Sequence, residues 1–299
     1  MKRIQTPVYT LVGGLTFGVA LAVASQASAQ QTTVAKLTAE THFHGIAAHP
    51  SDPERFFLAT HHGLFVVTAA GKADRVANSR DDFMGFTPHP TEPLTFYASG
   101  HPARGGNLGF IASMNAGITW SKLSDGVDGP VDFHHMDVSA ADPKVIYGVH
   151  NDAVQRSDDG GRSWKKVGPT PQGLIGLATS SLDPSTLYAA TQRGLAKSSD
   201  GGRTWSRMYA TAQPATMVHA ARDDIYAFVL GTGLMRASEL ELRWEVVGGG
   251  FGGSYLLHLA VDRKDGQRMY TVAVDPRTKA TSVLASHDGG QQWSTVRGE

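Results

Sequence analysis

An eight-residue motif that ends in tryptophan recurs along the chain, and its spacing constrains the fold more than any other feature. Two full copies with the pattern Ser-x-Asp-x-Gly-x-Ser/Thr-Trp occupy residues 157–164 and 198–205, and looser copies occupy 113–120 and 286–293. A shortened copy ends at Trp244, so each of the five tryptophans closes a copy. Successive tryptophans are roughly 40 to 50 residues apart, which is the length of a four-stranded propeller blade.

The residue types of the motif are those of a tight hairpin turn. An Asp side chain accepts hydrogen bonds from backbone N–H groups of its own turn, Gly supplies positive φ, and Trp anchors the returning strand in apolar packing. We therefore predict a structural role for the following motif residues: Ser157, Asp159, Gly161, Trp164, Ser198, Asp200, Gly202, Trp205, Asp288 and Trp293. Turns that lie a blade apart cannot place these carboxylates on one substrate.

A second repeat sets the number of blades. The stretch His44 to Pro53 matches 84–93, 134–143 and 175–184, each followed by an apolar pair, and looser copies precede Tyr226 and Tyr270. Six copies predict an all-β, six-bladed propeller of four-stranded antiparallel blades, and a seven-bladed ring fits less well.

The repeats divide the chain into one domain, residues 30–299, without a linker. We expect the blades at 41–80, 81–129, 130–172, 173–213, 214–253 and 254–299. No helix is predicted, because Gly and β-branched residues interrupt the longer helical patterns. Apolar and polar residues alternate in segment 32–37, which is therefore expected to form an additional strand that clasps the ring closed by contact with the last blade.

The first residues have the organisation of a signal peptide. Lys2 and Arg3 precede an apolar run over about 8–24, and Ala27-Ser28-Ala29 offers small residues to a signal peptidase. We predict that residues 1–29 are removed after Ala29, so the mature protein is periplasmic or secreted and keeps no stable membrane anchor.

Composition excludes several function classes. The chain has no cysteine, which excludes disulfides and thiolate metal sites. Its 27 basic residues are balanced by 27 acidic residues, so it has no excess positive charge with which to bind nucleic acid.

Polar residues of ligand type concentrate in the first three blades. In a propeller, the starts of the inner strands and the loops between the second and third strands lie on one face of the ring, called the mouth face here. The tryptophan motifs lie on the opposite face, the turn face. Histidines and aspartates occupy the predicted mouth positions of the first three blades: His42, His44, His61, His62, Asp82, His101, Asp132, His134, His135 and His150. The other three blades carry apolar residues at the inner-strand positions.

Imidazoles grouped with carboxylates are typical of transition-metal sites, since neutral His binds zinc and copper and Asp completes or orients the ligand set. We predict metal ligation by His44, His61, His62, His134 and His135. We predict ligand contacts from His42, His101, His150 and Arg104. Two alternatives remain open: the histidines line a water-filled channel, or they bind an organic molecule such as a glycan. His49, His89 and His287 fall on the turn face and are interpreted as solvated turn residues.

The repeated motif resembles the Asp-box, or BNR, repeat shared by sialidases, the sortilin ectodomain and many bacterial propellers. Exported bacterial Asp-box proteins labelled as glycosyl-hydrolase-like are the most similar group, on the segments 59–65, 81–86 and 107–110. The resemblance implies a propeller fold and a sugar-related activity. It equally implies a scaffold that recruits a protein partner, as sortilin-like and photosystem-assembly propellers do.

Enzymatic function stays undecided at this point. Sialidases have an Arg-Ile-Pro motif early in the first blade, whereas the first inner strand here reads His44-Gly45-Ile46, so sialidase catalysis is not implied. For a hydrolase with two carboxylates, Asp82 and Asp132 in adjacent blades are the candidate catalytic pair. The alternative is that each of these two aspartates caps the backbone of its inner strand.

Overall fold

The computed structural model describes residues 31–298 and confirms the predicted six-bladed β-propeller. Six antiparallel sheets surround a central channel, and each consists of four strands that follow one another in the chain. The first blade carries one additional strand at its outer edge. The channel is lined by the first strand of each blade.

The strands of the first three blades have the following bounds. Blade one contains β1 (Gln31–Thr33), which precedes helix α1 (Val34–Glu40), and then β2 (Phe43–Ala48), β3 (Arg55–Thr60), β4 (Gly63–Thr68) and β5 (Lys72–Arg75). Blade two contains β6 (Asp82–Pro88), β7 (Phe96–His101), β8 (Phe110–Ser113) and β9 (Ser121–Ser124). Blade three contains β10 (His135–Val138), β11 (Ile146–His150), β12 (Ala153–Ser157) and β13 (Lys165–Pro169).

The remaining blades follow the same order. Blade four contains β14 (Leu174–Thr179), β15 (Leu187–Thr191), β16 (Gly194–Ser198) and β17 (Ser206–Ala210). Blade five contains β18 (Ala215–Ala221), β19 (Asp224–Val229), β20 (Gly233–Ser238) and β21 (Glu245–Gly248). Blade six contains β22 (Tyr255–Val261), β23 (Met269–Val274), β24 (Thr281–Ser286) and β25 (Ser294–Val296).

Aromatic residues of the second strands hold neighbouring blades together. Tyr147, in blade three, is fully buried, and its hydroxyl donates to the carbonyl oxygen of Pro184 in blade four over 2.9 Å. Tyr270 makes the same bond from blade six to Pro53 in blade one, also at 2.9 Å. The same kind of contact therefore joins consecutive blades and closes the ring. Burial of each such tyrosine ring stabilises the fold by roughly 2 to 3 kcal/mol.

The eight-residue motifs form the turns between third and fourth strands. In the copy at 157–164, Ser157 Oγ accepts from the backbone N–H of Gly161 over 2.8 Å, and Asp159 Oδ1 accepts from that of Ser163 over 2.9 Å. The Trp164 indole donates to the Gly161 carbonyl oxygen over 3.1 Å. Hydrogen bonds from Ser163 hold the pKa of Asp159 at about 2, so this carboxylate is ionised and bound within its own turn. In the other three eight-residue copies, the equivalent Gly N–H also donates to the Ser Oγ, over 2.8 to 2.9 Å.

The segment before the first inner strand differs from the prediction in two ways. Residues Gln31–Thr33 do add a strand, but it pairs with β5 of blade one and not with the last blade. The prediction that the chain has no helix is wrong, because α1 follows directly, with the Thr33 side chain accepting from the Lys36 N–H at its start. The helix buries Val34 and Leu37, three residues apart on one face, in a cluster that also contains residues of blade six.

Helix α1 nevertheless connects the first and last blades. The Val34 N–H donates to the Gly71 carbonyl oxygen in blade one, and the Ala35 N–H donates to the Arg297 carbonyl oxygen in blade six. These distances are 2.9 and 2.7 Å. The predicted clasp is thus supplied by the start of a short helix, where backbone N–H groups have no partner within the helix itself.

The predicted signal peptide, residues 1–29, lies outside the described residues. Within 31–298, no helix has both the length and the apolar character that a membrane crossing requires.

Gly161 provides a test of the motif's packing. Its φ is +85°, and a Cβ at this position would lie 1.9 Å from Cε1 of the buried Phe110. We expect Gly161→Ala to lower the free energy of unfolding by about 3 kcal/mol or more, from backbone strain together with the clash. Urea unfolding followed by circular dichroism measures the change.

Gly160→Ala is the matched control. Gly160 also has positive φ, but a Cβ there would meet only the end of the Arg162 side chain at 3.5 Å, and blade two has Ala116 at the equivalent position. A loss of about 1 kcal/mol is expected. If Gly161→Ala and Gly160→Ala lower the free energy of unfolding equally, the close approach of Phe110 is not the reason for glycine at position 161.

Candidate functional site

The inner strands enclose a channel of about 1010 Å³ that runs between the two faces of the ring. Its mouth end is lined by His42, His44 and His134, and apolar residues such as Ile175 and Leu257 line the other side. The mouth is therefore polar along blades one to three and apolar along blades four to six.

Three side chains from two blades converge at this mouth. His44 Nε2, on the inner strand of blade one, lies 3.2 Å from the ring nitrogens of His61, which follows the second strand of the same blade. His61 Nδ1 lies 2.7 Å from Asp82 Oδ2 at the start of blade two, and His44 Nε2 lies 3.4 Å from Asp82 Oδ1. One ligand atom from each of the three residues fits within 4.8 Å of the others. We call this group the first cluster.

The electrostatics of the first cluster favour a neutral imidazole beside a carboxylate. Burial, followed by the nearby His61, lowers the pKa of His44 to about 3, so its ring is neutral at physiological pH and keeps a lone pair. Asp82 Oδ1 is buried without a hydrogen-bond partner among the described residues. A cation would satisfy both the lone pair and the orphaned carboxylate oxygen.

A second group of three lies one blade further along. Asp132 Oδ2, at the start of blade three, lies 2.7 Å from His134 Nε2 and 3.1 Å from His101 Nε2 of blade two. Burial acts to raise the pKa of Asp132, but the hydrogen bond with His134 and the surrounding imidazoles hold it below its usual value. The same hydrogen bond raises the pKa of His134. We call His101, Asp132 and His134 the second cluster.

The two clusters repeat one geometry. In each, a histidine at or just after the end of a second strand faces an aspartate at the start of the next blade: His61 faces Asp82, and His101 faces Asp132. The contact across the blade boundary follows from the fold, because these two positions are neighbours on the mouth face.

The other predicted site residues lie around these clusters. His42 is exposed, with its ring centroid 5.6 Å from that of His61, and the exposed His62 lies 6.4 Å from His61. His150 Nδ1 lies 3.2 Å from the main-chain oxygen of Asp132, and Arg104 is exposed in its loop. His135 lines the channel wall, where burial lowers its pKa to about 4.

The aspartates proposed as a catalytic pair occupy separate clusters. Asp82 and Asp132 each bind an imidazole through Oδ2. The alternative, in which the Asp132 side chain caps the backbone of its inner strand, is not observed: Asp132 Oδ2 contacts His134, and Oδ1 has no hydrogen-bond partner among the described residues. The Asp132 backbone nitrogen lies 3.4 Å from His150 Nδ1.

Sequence reasoning missed two histidines inside the channel. His219 in β18 and His258 in β22 both line it, and burial lowers the pKa of each to about 4. His258 Nε2 lies 3.2 Å from the carbonyl oxygen of Phe43 and so joins blade six to blade one beside His44. Both sit in the middle of apolar strands, where the first-strand repeat gives no polar signal.

The turn-face histidines act within their own turns. His49 Nδ1 accepts from the Asp52 N–H over 3.0 Å, and His89 Nδ1 accepts from the Glu92 N–H over 2.9 Å. Both are partly buried, which lowers their pKa, whereas His287 is exposed.

An apolar patch lies on the turn face of blade two. Met114, Ile118 and Leu94 are exposed by 73, 58 and 52% respectively, and the Ala116 N–H binds the Leu94 carbonyl oxygen over 2.8 Å. The equivalent positions of other blades carry polar residues: Asp158, Ser199 and His287 for Met114, Arg162, Arg203 and Gln291 for Ile118, and Glu54, Lys144, Ser185 and Gln267 for Leu94. The turn itself therefore does not require apolar side chains here.

Comparison with solved structures places the fold among β-propellers. The chain superimposes on a GH74 xyloglucanase from Xanthomonas campestris with a TM-score of 0.56 and 19% identity, covering 89% of this chain and 46% of the enzyme. A GH74 enzyme from Niastella koreensis gives 0.60 and 14%, covering 86% and 45%. YCF48 bound to a D1 peptide gives 0.52 and 13%, covering 89% and 84%.

The chain spans less than half the length of the two GH74 enzymes, and these identities establish likeness of fold alone. No protein-family model matches the sequence, and no curated protein matches it.

The buried channel histidines predict a pH-dependent stability. The pKa of His258 is lowered by burial to about 4, from 6.5, so the unfolded chain takes up this proton first as the pH falls. The stability that His258 contributes is present above pH 6.5 and is lost as the pH falls toward 4, with a slope of at most about 1.4 kcal/mol per pH unit. Thermal unfolding from pH 7.5 to 4.5 with a chelator present should show this decrease.

His258→Gln should make the dependence shallower, because Gln can still donate to the Phe43 carbonyl oxygen but does not titrate. His287→Gln, on the exposed turn face, is the matched control and should leave the slope as in the wild type. An unchanged slope in His258→Gln would contradict this assignment.

Proposed function

We propose that the protein is an exported propeller that binds a transition-metal ion, zinc or copper, at the first cluster. The observation that carries the proposal is the convergence of ligand atoms from His44, His61 and Asp82 within 4.8 Å. A cation held at roughly 2.0 to 2.2 Å from each ligand atom in a tetrahedral site separates those atoms by roughly 3.3 to 3.6 Å. The contacts of 3.2 and 3.4 Å around His44 Nε2 are close to that separation.

The charge state of the cluster supports the same function. A metal competes with protons for imidazole nitrogen, and the lowered pKa of His44 removes that competition at neutral pH. Asp82 supplies a negative charge and a buried oxygen without a partner. Asp82 can also orient His61 through the 2.7 Å contact with Nδ1, as carboxylates commonly do for metal-bound histidines.

Hydrolysis by Asp82 and Asp132 has less support. Both carboxylates are engaged with imidazoles through Oδ2, and at Asp132 this contact holds the pKa below its usual value, whereas a general acid needs a raised pKa. The GH74 enzymes share the fold with this chain over less than half of their own length.

Metal analysis tests the proposal. After chelation and dialysis against zinc, elemental analysis should show zinc bound to the wild type. His44→Ala should bind about one equivalent less, because only two of the three ligands, His61 and Asp82, remain. Copper is tested in the same way. His62→Ala is the matched control, because His62 neighbours His61 but its ring lies 6.4 Å away.

The proposed metal function is wrong if the wild type binds neither metal after dialysis. Equal zinc content in the wild type and in His44→Ala would place any bound ion elsewhere. Circular dichroism of each variant verifies that the metal was not lost through unfolding.

A second candidate function is the binding of a protein partner at the apolar patch of blade two. Met114, Ile118 and Leu94 are apolar where blades three, four and six carry polar residues, and such patches mark contacts with apolar side chains of another protein. Propellers of this fold that bind polypeptides include YCF48 with its D1 peptide and the propeller of a nidogen/laminin complex, which has a TM-score of 0.53 and 11% identity to this chain.

Exchange of the patch for the residues of blade three tests this candidate. Met114→Asp with Ile118→Arg recreates the pair Asp158 and Arg162, which the same turn accommodates. A partner cross-linked to the wild type in its native compartment, then purified, should bind the double variant at least tenfold more weakly by calorimetry. His44→Ala should bind it as the wild type does. If the double variant binds the partner as tightly as the wild type does, the patch is not the binding site.

A further inference from the structure

Arg263 places a guanidinium group at the turn-face end of the channel, which it lines. It follows β22 in blade six and donates to two main-chain carbonyl oxygens of blade two: Nη1 to Pro90 over 2.8 Å and Nη2 to Pro88 over 3.4 Å. Blade one lies between these two blades. The Arg263 side chain therefore spans the turn-face end of the inner strand of blade one.

The positive charge of Arg263 is not paired with a carboxylate. Among the described residues, no carboxylate oxygen lies within 4.0 Å of its guanidinium nitrogens. A guanidinium has five N–H groups, and the bonds to Pro88 and Pro90 leave three of them without a partner in the described part of the chain. The carbonyl oxygens hold the group in place without neutralising it.

Two carboxylates line the channel, and each is engaged elsewhere. Asp137 Oδ2, in β10, accepts from the backbone N–H and the hydroxyl group of Thr179 over 2.7 and 2.8 Å. Asp262 Oδ1 accepts from the Lys264 N–H of its own turn over 2.8 Å. Burial lowers the pKa of Arg263, although Asp137 acts to raise it. The guanidinium is therefore charged, partly desolvated and available to an anion.

His219 is a second donor beside Arg263. Burial, followed by the charge of Arg263, lowers the pKa of His219 to about 4, so the ring is neutral at physiological pH and keeps one N–H group. Arg222 and Lys264 add two positive charges to the channel lining, and Arg222 Nη1 donates to the Arg263 carbonyl oxygen over 2.6 Å. The three cations outnumber the two carboxylates of the lining, which favours an anion at this end.

The size and the wall of the channel suit an organic anion. Its volume of about 1010 Å³ is that of a pocket for an organic molecule and far exceeds the needs of an inorganic ion. Apolar side chains such as Ile175 and Leu257 line it along blades four to six. A hydrocarbon chain gains free energy by leaving water for such a wall.

We propose that the channel binds a small aliphatic carboxylic acid as its anion. Arg263 and His219 hold the carboxylate at the turn-face end, and the hydrocarbon chain lies against the apolar wall. Asp137 limits the affinity, because its own charge repels the carboxylate. The site lies at the opposite end of the channel from the first cluster and does not need the proposed metal ion.

Calorimetry with hexanoate tests this site in the full chain. The protein is first freed of metal by chelation, and the chelator, itself a carboxylate, is removed by dialysis. At pH 8, hexanoate should bind with a dissociation constant below about 1 mM. 1-Hexanol should bind at least about tenfold more weakly, because it has the same chain but no charge to pair with a guanidinium.

Substitutions of Arg263 and Asp137 should act in opposite directions. Arg263→Gln removes the positive charge and should weaken hexanoate binding at least about tenfold. Asp137→Asn keeps an oxygen that can accept from Thr179 but removes the repulsion, so it should tighten binding about threefold or more. Arg162→Gln is the matched control and should bind as the wild type does, because the exposed Arg162 also donates to a main-chain carbonyl oxygen, that of Asp159, but lies outside the channel.

Several outcomes would overturn the proposal. These are hexanoate that does not bind the wild type, hexanoate that binds folded Arg263→Gln equally well, 1-hexanol that binds as tightly as hexanoate, and inorganic phosphate that displaces hexanoate at equal concentration. Binding that His44→Ala abolishes and Arg263→Gln preserves would place the carboxylate at the first cluster and also overturn it. Wild-type affinity in His44→Ala supports the site and leaves the proposed metal function to its own test.

Asp137→Asn tests the site even if Arg263→Gln does not fold. Circular dichroism shows whether each variant is folded. A folded Asp137→Asn variant that binds hexanoate no more tightly than the wild type would overturn the proposal. Arg263→Lys preserves the charge but not the planar set of donors, and should bind hexanoate with an affinity between those of the wild type and Arg263→Gln.

Discussion

The packing of one blade against the next is the constraint on which the rest of the structure depends. A four-stranded sheet of this size cannot bury its faces alone, and each blade here buries them against its neighbours. The bond from Tyr270 to Pro53 shows that the last and first blades meet in the way that Tyr147 and Pro184 join interior blades. Without that closure the mouth would not exist, because its residues lie on blades that are far apart in the chain.

Polar side chains have different partners on the two faces of the ring. On the turn face, polar side chains satisfy backbone groups of their own turns: Ser157 and Asp159 do so in a tryptophan motif, and His49 does so between two strands. On the mouth face, polar side chains meet one another instead. The group of His44, His61 and Asp82 leaves a buried carboxylate oxygen, Asp82 Oδ1, without a hydrogen-bond partner among the described residues, which is costly unless a ligand satisfies it.

Much of the fold was predictable because it is repetitive. The tryptophan spacing and the second-strand aromatic pairs fixed six blades, and the position of Asp82 and His61 in the repeat indicated that they would share a face. Which histidine pairs with which aspartate could not be derived, because it depends on the offset between blades. Helix α1 was missed because its seven residues give too short a pattern, and its stability comes from burial of Val34 and Leu37 against blade six.

Each cluster joins two blades, and this has a thermodynamic consequence. The chain connects blade one to blade two only through the loop before Asp82, yet His61 and Asp82 meet across the boundary at 2.7 Å. An ion held there would be lost whenever the two blades separate, so its free energy of binding would oppose separation of the blades. At a free concentration a hundred times the dissociation constant, such linkage is worth about 2.7 kcal/mol. Occupancy would thereby set the rigidity of the ring.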